Sequence, residues 1–320
     1  MVAEFELLAA LRRHLDADGP GVPCGVGDDA AVVEVAGPVV ATVDTLVDGV
    51  HVDRRWSSFE DVGFKALAVN VSDLAAMGAL PLAALVSLQV PSAIGSQELD
   101  RLYAGLREAA DRWGCRLVGG DTVTSPTLAV SVTALGQLHD ERAVLRRDGA
   151  QPGELVVVIG GLGLAAAGLE LLRRGEAELA RAHPDLLAAH RRPTALPEAV
   201  PALVLAGVRA AIDVSDGLGR DLGHLARGSG VRIRLDAERL PIAPGVAAVA
   251  DRLGLDVLDL VVGGGEDQAL AVTVPADRLG RLDVALDTVG LRARVIGEVV
   301  DGAGVDLDGR DVGALGWEHS

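Results

Sequence analysis

Aspartate residues occur in short sequence words rich in glycine and serine, at positions where the apolar chain has no structural need for a carboxylate. The words end at or contain Asp29, Asp44, Asp73, Asp121, Asp213 and Asp216. Each follows or interrupts a segment rich in alanine, valine and leucine, so folding would bring several negative charges together. Bound cations neutralise such a cluster, and oxygen-only ligands on glycine-rich turns favour Mg²⁺, which usually binds with phosphates. The pattern therefore predicts a magnesium and phosphate site.

Each of these words also has a purely structural explanation. Gly-Asp pairs such as the one at Asp29 usually form turns. Asp73 interrupts an apolar helical pattern, where a local cap or a solvated position explains it as well as a metal does. Ser215 or Asp216 is a good N-cap for a helix beginning near residue 218, although the same helix start is typical of phosphate binding through free N–H groups. Asp213 is not needed for capping, which favours a metal at this word.

Three other features are candidates for ligand binding. His51 follows Asp44 closely, although a lone histidine is usually an ordinary surface or core residue. Trp317 lies in a glycine-flanked tail, where it either packs on the core or stacks on a flat ring. The word Gly-Gly-Gly-Glu-Asp, residues 263–267, predicts either a flexible turn or a backbone binding site. The sequence has no P-loop and no arrangement typical of a covalent nucleophile, so we expect neither.

Composition limits the class of protein. With 320 residues, 49% of them hydrophobic, the chain is long enough for two globular domains. Its net charge of −17 argues against a nucleic-acid partner and requires any phosphate site to be made locally positive by arginine or metal. The two cysteines, Cys24 and Cys115, show no metal-ligand spacing. Without a signal peptide or a membrane-length apolar run, we expect a cytoplasmic protein with no membrane partner.

The elements that must position these residues predict an α+β protein. Helical periodicity covers residues 4–15, 59–77 and 97–113, while residues 82–90 and 127–138 are typical of strands. Residues 30–35 and 39–44 predict a strand pair across Gly37 and Pro38. Further on, we expect a strand over residues 155–159, a close turn at Gly161 and Gly163, and helices over 164–174 and 218–227. Turn residues at 147–153 predict two domains, 1–149 and 150–320.

Taken together, the words resemble the thiamine-monophosphate kinase family, in the superfamily related to aminoimidazole ribonucleotide synthetase. The segments that carry the resemblance are GVGDDAAVV, TVDTLVDGVH, KALAVNVSDLAAMGA, VGGDT, RRDGAQPGE, DVSDGL, GGGEDQAL and GWEH. They extend from about Gly25 to Trp317, nearly the whole chain. One departure is Gln268, because the family usually has an aromatic residue after Gly-Glu-Asp.

The resemblance implies ATP-dependent phosphorylation of thiamine monophosphate to thiamine diphosphate by direct, Mg²⁺-assisted phosphoryl transfer, with several Mg²⁺ ions. It implies a homodimer in which the N-terminal α/β domains, which bind ATP and Mg²⁺, pair into a shared β-barrel, and a C-terminal α+β domain that completes the site. The implied metal ligands are Asp29, Thr42, Asp44, Asp73, Asp121, Asp213 and Asp216. The implied ATP contacts are Tyr103, Gly120, Asp121, Arg147 and Ser215, and the implied substrate contacts are His51, Glu266 and Trp317.

Other functions within and outside this superfamily stay open from the sequence. A purine-ring ligase would share the Gly-Asp-Asp and Gly-Gly-Asp words, whereas His51 and the terminal GWEH favour the kinase. A selenophosphate synthetase would need a reactive cysteine, for which Cys24 is the only candidate, and a hydrogenase maturation protein would need a C-terminal cysteine where this chain has Ser320. A non-catalytic nucleotide-binding dimer has no reason to keep both His51 and Trp317.

Overall fold

The chain folds into two compact units, and the computed structural model describes residues 11–16, 18–26 and 29–318. The first unit comprises residues up to Leu74 together with Leu80–Leu138, and the second comprises Ala75–Ala79 and the chain from His139 onward. Both units contain helices and sheet, which confirms the prediction of two α+β domains. The division of roles between residues 1–149 and 150–320 stays a prediction. The helix predicted over residues 4–15 lies largely outside the described residues.

The first unit is built on a four-stranded sheet. Its elements are β1 (Val39–Val47), α1 (Phe59–Ala76), β2 (Ala79–Val90), α2 (Ser96–Trp113), β3 (Arg116–Thr124) and β4 (Ala129–Leu138), after a 3-10 turn at Arg12–His14. The strand order is β1-β4-β2-β3, with β1 antiparallel to β4 and β2 parallel to β3. Burial alternates along β4, so one face of this strand is covered and the other is more open.

The predicted strand pair between residues 30–35 and 39–44 is wrong. Residues 30–35 form only an isolated bridge, between Val32 and Cys24, while β1 pairs with β4 over the full register from Val39↔Gln137 to Val47↔Ala129. Val32 and Val35 are exposed. β1 is an edge strand of this sheet with β4 as its neighbour, and residues 30–35 do not extend the sheet on its other side.

The second unit is built on a seven-stranded sheet of order β11-β10-β7-β9-β5-β8-β6. Its strands are β5 (Glu154–Ile159), β6 (Ala210–Val214), β7 (Arg232–Leu235), β8 (Ala269–Pro275), β9 (Ala293–Val300), β10 (Gly304–Leu307) and β11 (Arg310–Asp311). Its helices are α3 (Leu164–Arg174), α4 (Ala177–Ala182), α5 (Pro184–Arg191), α6 (Val200–Leu205), α7 (Leu218–Ser229), α8 (Pro244–Leu253), α9 (Val257–Val262) and α10 (Leu279–Asp287), with 3-10 turns at Pro197–Ala199, Ala237–Arg239 and Ala276–Arg278.

Apolar clusters cover both faces of this second sheet. Val156 and Val158 of β5 pack with residues of α3, α7 and α8, and Val157 and Ile159 pack with residues of α6 and α10. Burial on two faces explains why β5 is an uninterrupted apolar run in the sequence. Among the described residues, no helix is both long enough and apolar enough to cross a membrane.

Candidate metal and phosphate site

In the first unit, β1 and α1 bring oxygen ligands together. Thr42 and Asp44 lie two residues apart on β1, so their side chains share one face of the strand. The Thr42 hydroxyl donates a hydrogen bond of 2.5 Å to Oδ2 of Asp73, which lies in the last turn of α1. A carboxylate at a helix C-terminus is disfavoured by the helix dipole, and no basic residue is present in this turn to compensate. The carboxylate of Asp73 is therefore in an electrostatically unfavourable position, as expected for a residue that binds a cation.

His51 is held in the turn that follows β1. Its Nδ1 accepts a hydrogen bond of 3.1 Å from the backbone N–H of Val47, so the ring proton is on Nε2. The buried ammonium of Lys65, the only lysine of the chain, donates to the carbonyl oxygen of His51 at 3.1 Å. The sequence analysis did not assign this role to Lys65, although a single lysine within an apolar helix was a signal for it. The arrangement presents a neutral imidazole in a fixed orientation.

Asp121 lies on β3, across the sheet from Thr42 and Asp44. Three strand spacings separate β1 from β3, about 14 Å if the sheet were flat. Asp121 is exposed, and its Oδ1 accepts from the N–H of Thr122 at 2.8 Å. At Gly120, a Cβ would overlap the carbonyl oxygen of Val86 on β2, so the parallel pairing of β2 and β3 requires this glycine. The glycine thus has a structural reason besides any contact with a ligand.

Tyr103 and Asp29 are two other predicted residues of the first unit. Tyr103 is buried on α2, where burial raises the pKa of its hydroxyl to about 12 and its ring centroid lies 6.3 Å from that of His14. Asp29 is exposed, and its neighbours Gly27 and Asp28 lie outside the described residues. The roles of Tyr103 and Asp29 stay predictions.

In the second unit, Asp221 organises the turn between β6 and α7. Its Oδ2 accepts backbone N–H bonds from Ser215 at 3.0 Å, Asp216 at 3.1 Å and Gly217 at 3.1 Å. The interpretation of Ser215 or Asp216 as N-cap is therefore wrong, because the N-cap is Gly217 and the acceptor comes from within the helix. These three N–H groups also already donate to a protein carboxylate. An acid in the first helical turn is the sequence signal that could have identified Asp221.

Burial, together with the neighbouring charge of Asp216, raises the pKa of Asp221 to about 7 despite the three N–H bonds. Asp213 is buried in β6, next to the same turn. The β6–α7 turn thus concentrates negative charge where little water is available. Such a concentration is what a bound cation relieves.

The word Gly-Gly-Gly-Glu-Asp packs against this turn. The N–H of Glu266 donates to the carbonyl oxygen of Ser215 at 2.7 Å, and Oε2 of Glu266 lies 3.0 Å from Nδ1 of the buried His190. At Gly265 a Cβ would come within 2.6 Å of the Ser215 carbonyl oxygen, so the chain approaches closely there. The segment packs closely against the β6–α7 turn, and whether its backbone binds a ligand stays a prediction. His190 was missed by the sequence reasoning.

Asp267 holds the start of α3. Its carboxylate accepts from the N–H of Gly163 at 2.6 Å and of Ala165 at 3.0 Å, and burial raises its pKa to about 7. Glu266 and Gln268, on either side, both have positive φ, of 69° and 53°. Gln268 is buried, and its Oε1 has no hydrogen-bond partner among the described residues. The close turn predicted at Gly161 and Gly163 is confirmed. Asp267, an acid far along the chain, accepts the hydrogen bonds that hold it in place.

The C-terminal tail crosses the same β6–α7 turn. The N–H of Trp317 donates to the carbonyl oxygen of Asp216 at 2.8 Å, and the N–H of Arg220 donates to that of Leu315 at 2.9 Å. The Trp317 side chain is half exposed. Ser215, Asp216, Glu266 and Trp317 are therefore brought together by backbone hydrogen bonds, although the tail lies about a hundred residues beyond the turn.

Two consecutive arginines precede β5, and they differ in their partners. Arg146 binds the carboxylate of Asp148 through Nε at 2.7 Å and Nη2 at 2.8 Å. Arg147 is exposed and has no such ion pair within the described part of the chain, while its carbonyl oxygen accepts from the hydroxyl of Ser229 at 3.0 Å. The free guanidinium is that of Arg147, the arginine predicted to contact ATP.

The donor set matches a hard cation. No three His, Cys, Asp or Glu side chains among the described residues are close enough to form a ready-made metal site. The groups near one another are nevertheless all oxygen donors: the hydroxyl of Thr42 with the carboxylate of Asp73 in the first unit, and the crowded carboxylates of the β6–α7 turn in the second. Oxygen ligands of this kind are those that Mg²⁺ prefers.

Comparison with known proteins identifies relatives over nearly the whole chain. Residues 27–138 match the AIR synthase related protein, N-terminal domain, and residues 151–310 match the C-terminal domain of the same family. The thiamine-monophosphate kinase of Aquifex aeolicus is 36% identical over 319 residues, covering 99% of this chain and 98% of that protein.

Two solved structures have the same fold over nearly the whole chain. The thiamine-monophosphate kinase of Stenotrophomonas maltophilia superimposes with a TM-score of 0.86 at 37% identity, covering 97% of this chain and 98% of the other. The AaThiL protein, complexed with AMPPCP and TMP, gives a TM-score of 0.81 at 35% identity, covering 99% and 97%. With this identity over both full lengths, the chain belongs to the thiamine-monophosphate kinase family.

Proposed function

We propose that this protein transfers the terminal phosphoryl group of ATP to thiamine monophosphate, forming thiamine diphosphate and ADP. The observation that carries the proposal is the full-length identity to thiamine-monophosphate kinases, together with a relative's complex that contains an ATP analogue and TMP. The β6–α7 turn supports it, because predicted metal, nucleotide and substrate residues meet there. A protein that only sensed nucleotide would not need Glu266 and Trp317 at the same turn.

The acceptor supplies its own nucleophile. A phosphate monoester has a second pKa of about 6, so its oxygen is largely ionised at neutral pH and needs no protein base. The protein then has to align the two phosphates in line and neutralise their charge. Arg147 contributes a guanidinium that no carboxylate in the described part of the chain occupies. Glu266, His51 and Trp317 orient the acceptor, and Tyr103, Gly120 and Ser215 contact the nucleotide.

Mg²⁺ ions would be held by Asp29, Thr42, Asp44, Asp73 and Asp121 of the first unit and by Asp213 and Asp216 of the second. Bound there, they would supply positive charge to the phosphates of a protein whose net charge is −17. The hydroxyl of Thr42 orients the carboxylate of Asp73, and Asp221 fixes the backbone that carries Asp216. Residues 1–149 then form the ATP- and Mg²⁺-binding, dimerisation domain, and residues 150–320 complete the nucleotide and substrate site.

The same proposal includes a homodimer with a barrel shared between the first units. On the open face of β1, Val39 and Val43 are exposed, as are Leu85 of β2 and Val123 of β3. Exposed apolar residues on one sheet favour coverage by a second copy. Sedimentation of the purified protein tests this, and a monomer at micromolar concentration would contradict it. We also infer a cytoplasmic location, because Cys24 and Cys115 are both unpaired.

A coupled measurement tests the proposed reaction. Purified protein is incubated with ATP, Mg²⁺ and thiamine monophosphate, and the products are identified by mass. We expect equal amounts of thiamine diphosphate and ADP. Release of free phosphate without any diphosphate would contradict the proposal, as would equal turnover of unrelated phosphate monoesters.

A further inference from the structure

The solvent face of α7 carries only positively ionisable side chains. Over its first ten residues, the positions that are not buried are Arg220, His224 and Arg227. They are spaced i, i+4 and i+7, so they form a single row on one side of the helix. At a rise of about 1.5 Å per residue the row spans about 10 Å. A row of this length exceeds a single phosphate group and corresponds to a chain of phosphates.

The charges of this row are poorly compensated in a strongly acidic protein. Within the described residues, Arg227 and His224 have no ion-pair partner. Arg147, which lies near this row, has none there either. Arg220 pairs through Nη2 with Glu318 at 3.1 Å; the arginine side chain is 17% exposed and that of Glu318 is 80% exposed, so water competes for the carboxylate end of the pair. The Nε of Arg220 is buried without a partner among those residues. Elsewhere, exposed arginines such as Arg146 and Arg234 have carboxylate partners.

Arg147 lies in the same electrostatic field. Gly228 and Ser229 of α7 contact the carbonyl oxygen of Arg147, which brings this arginine beside the C-terminal half of the helix. Burial lowers the pKa of His224, and the positive charges that lower it further are those of Arg227, Arg147 and Arg220. Positive charge from Arg147, Arg220 and Arg227 therefore acts on His224, and the charge of Asp216 opposes it.

We propose that Arg220, His224 and Arg227, with Arg147, bind the phosphate chain of the nucleoside triphosphate along α7. The inference deepens the proposed function and rests on it. It also assigns the direction in which the phosphate chain runs along α7. The predicted metal and acceptor residues Asp216, Glu266 and Trp317 meet at the N-terminal end of α7. The terminal phosphate therefore lies next to Arg220, and the phosphates nearer the nucleoside lie next to Arg227.

The test measures equilibrium binding by calorimetry with Mg²⁺ present, for inorganic tripolyphosphate, ADP and the analogue AMPPCP. The variants are Arg220→Gln and Arg227→Gln. Arg281→Gln is the matched control, because Arg281 is an exposed arginine on α10 without an ion pair in the described chain. Glu318→Gln is the second control, since it removes the partner of Arg220 and leaves the arginine.

We expect each α7 variant to weaken the binding of tripolyphosphate and of AMPPCP about tenfold, which is the usual effect of losing a hydrogen bond to a charged group. Arg227→Gln should weaken the binding of ADP by the same factor, whereas Arg220→Gln should weaken the binding of ADP much less than that of AMPPCP. Arg281→Gln should bind like the wild type. Glu318→Gln should bind equally or more tightly. Added salt should reduce the difference between wild type and variants.

Three outcomes overturn the inference. If the α7 variants bind all three ligands as Arg281→Gln does, the row is not a phosphate site. If Arg220→Gln loses equal affinity for ADP and for AMPPCP, the proposed direction of the phosphate chain along α7 is overturned. If Glu318→Gln reproduces the loss seen in Arg220→Gln, the arginine acts only by holding the tail. Failure of the proposed function looks different, because wild-type protein would then bind these ligands and form no thiamine diphosphate.

Discussion

Replacement of Asp267 separates the two physical effects of its carboxyl group in the second unit. The group accepts N–H bonds at the start of α3, from Gly163 at 2.6 Å and Ala165 at 3.0 Å. It is also a buried acid whose pKa burial raises from 3.8 to about 7. Asp267→Ala removes the acceptor and the charge together. Asp267→Asn removes the charge and keeps one of the two oxygen acceptors, because its amide nitrogen replaces the other oxygen.

Both variants lack the titrating carboxyl, and they differ in how many hydrogen-bond acceptors they keep. Each buried N–H left without an acceptor costs about 1–3 kcal/mol, so at pH 4.5 we expect Asp267→Ala to be about 3 kcal/mol less stable than wild type and Asp267→Asn to be about 1–2 kcal/mol less stable. Because the folded protein holds the proton more tightly than the unfolded chain, wild-type stability falls as pH rises from about 4 to about 7 and is flat above that. Three pKa units correspond to at most about 4 kcal/mol. Both variants escape this loss, so near pH 8 Asp267→Asn should be at least as stable as wild type, and Asp267→Ala should be closer to wild type than it is at pH 4.5.

Urea unfolding from pH 4.5 to 8.5 measures both effects, with the transition of the second unit followed separately. Asp251→Asn is the control, because Asp251 is exposed on α8 and should change stability by less than about 0.5 kcal/mol. The reasoning is refuted if Asp267→Asn follows the wild-type pH curve or if Asp267→Ala is as stable as the wild type at pH 4.5. Because Asp267 also anchors Glu266, the alanine variant should in addition raise the KM for thiamine monophosphate.

Further predictions concern the site and the first sheet. Asp44→Asn and Asp73→Asn should each abolish turnover at saturating Mg²⁺ and leave a folded dimer, with unchanged or higher apo thermal stability since like charges are reduced; retained activity in either variant would reject its role as a metal ligand. Trp317→Ala should raise the KM for thiamine monophosphate about two- to thirtyfold, the range of a lost cation–π contact, and leave the KM for ATP unchanged; a lower melting temperature with unchanged KM would show instead that Trp317 only pins the tail. Gly120→Ala should destabilise the first unit by about 3 kcal/mol because its Cβ overlaps the carbonyl oxygen of Val86, whereas Gly280→Ala, in open space on α10, should be neutral or slightly stabilising in the same denaturation assay.

Local patterns in the sequence predicted individual elements well. The helix expected over residues 97–113 is α2 at Ser96–Trp113, and the helix over 164–174 is α3 at Leu164–Arg174. Both end at a glycine with positive φ, Gly114 and Gly175, a stop signal that is visible in the sequence. The words that carry the family resemblance are also local, so the family was accessible before the fold.

Long-range pairing was decided only in the tertiary structure. Nothing near β1 in the sequence indicates that β4, rather than residues 30–35, would be its partner. Likewise, Asp267 anchors a helix that begins about a hundred residues earlier.

The roles of the acidic residues show the same division. From residue types alone, Asp213, Asp216, Asp221 and Asp267 are equivalent carboxylates in glycine-rich surroundings. The structure separates them, because Asp221 and Asp267 accept backbone N–H groups at helix starts. A sequence specifies which groups are available and where helices and turns begin, since these depend on neighbouring residues. Which donor meets which acceptor depends on burial shared between distant segments, and the folded chain alone determines it.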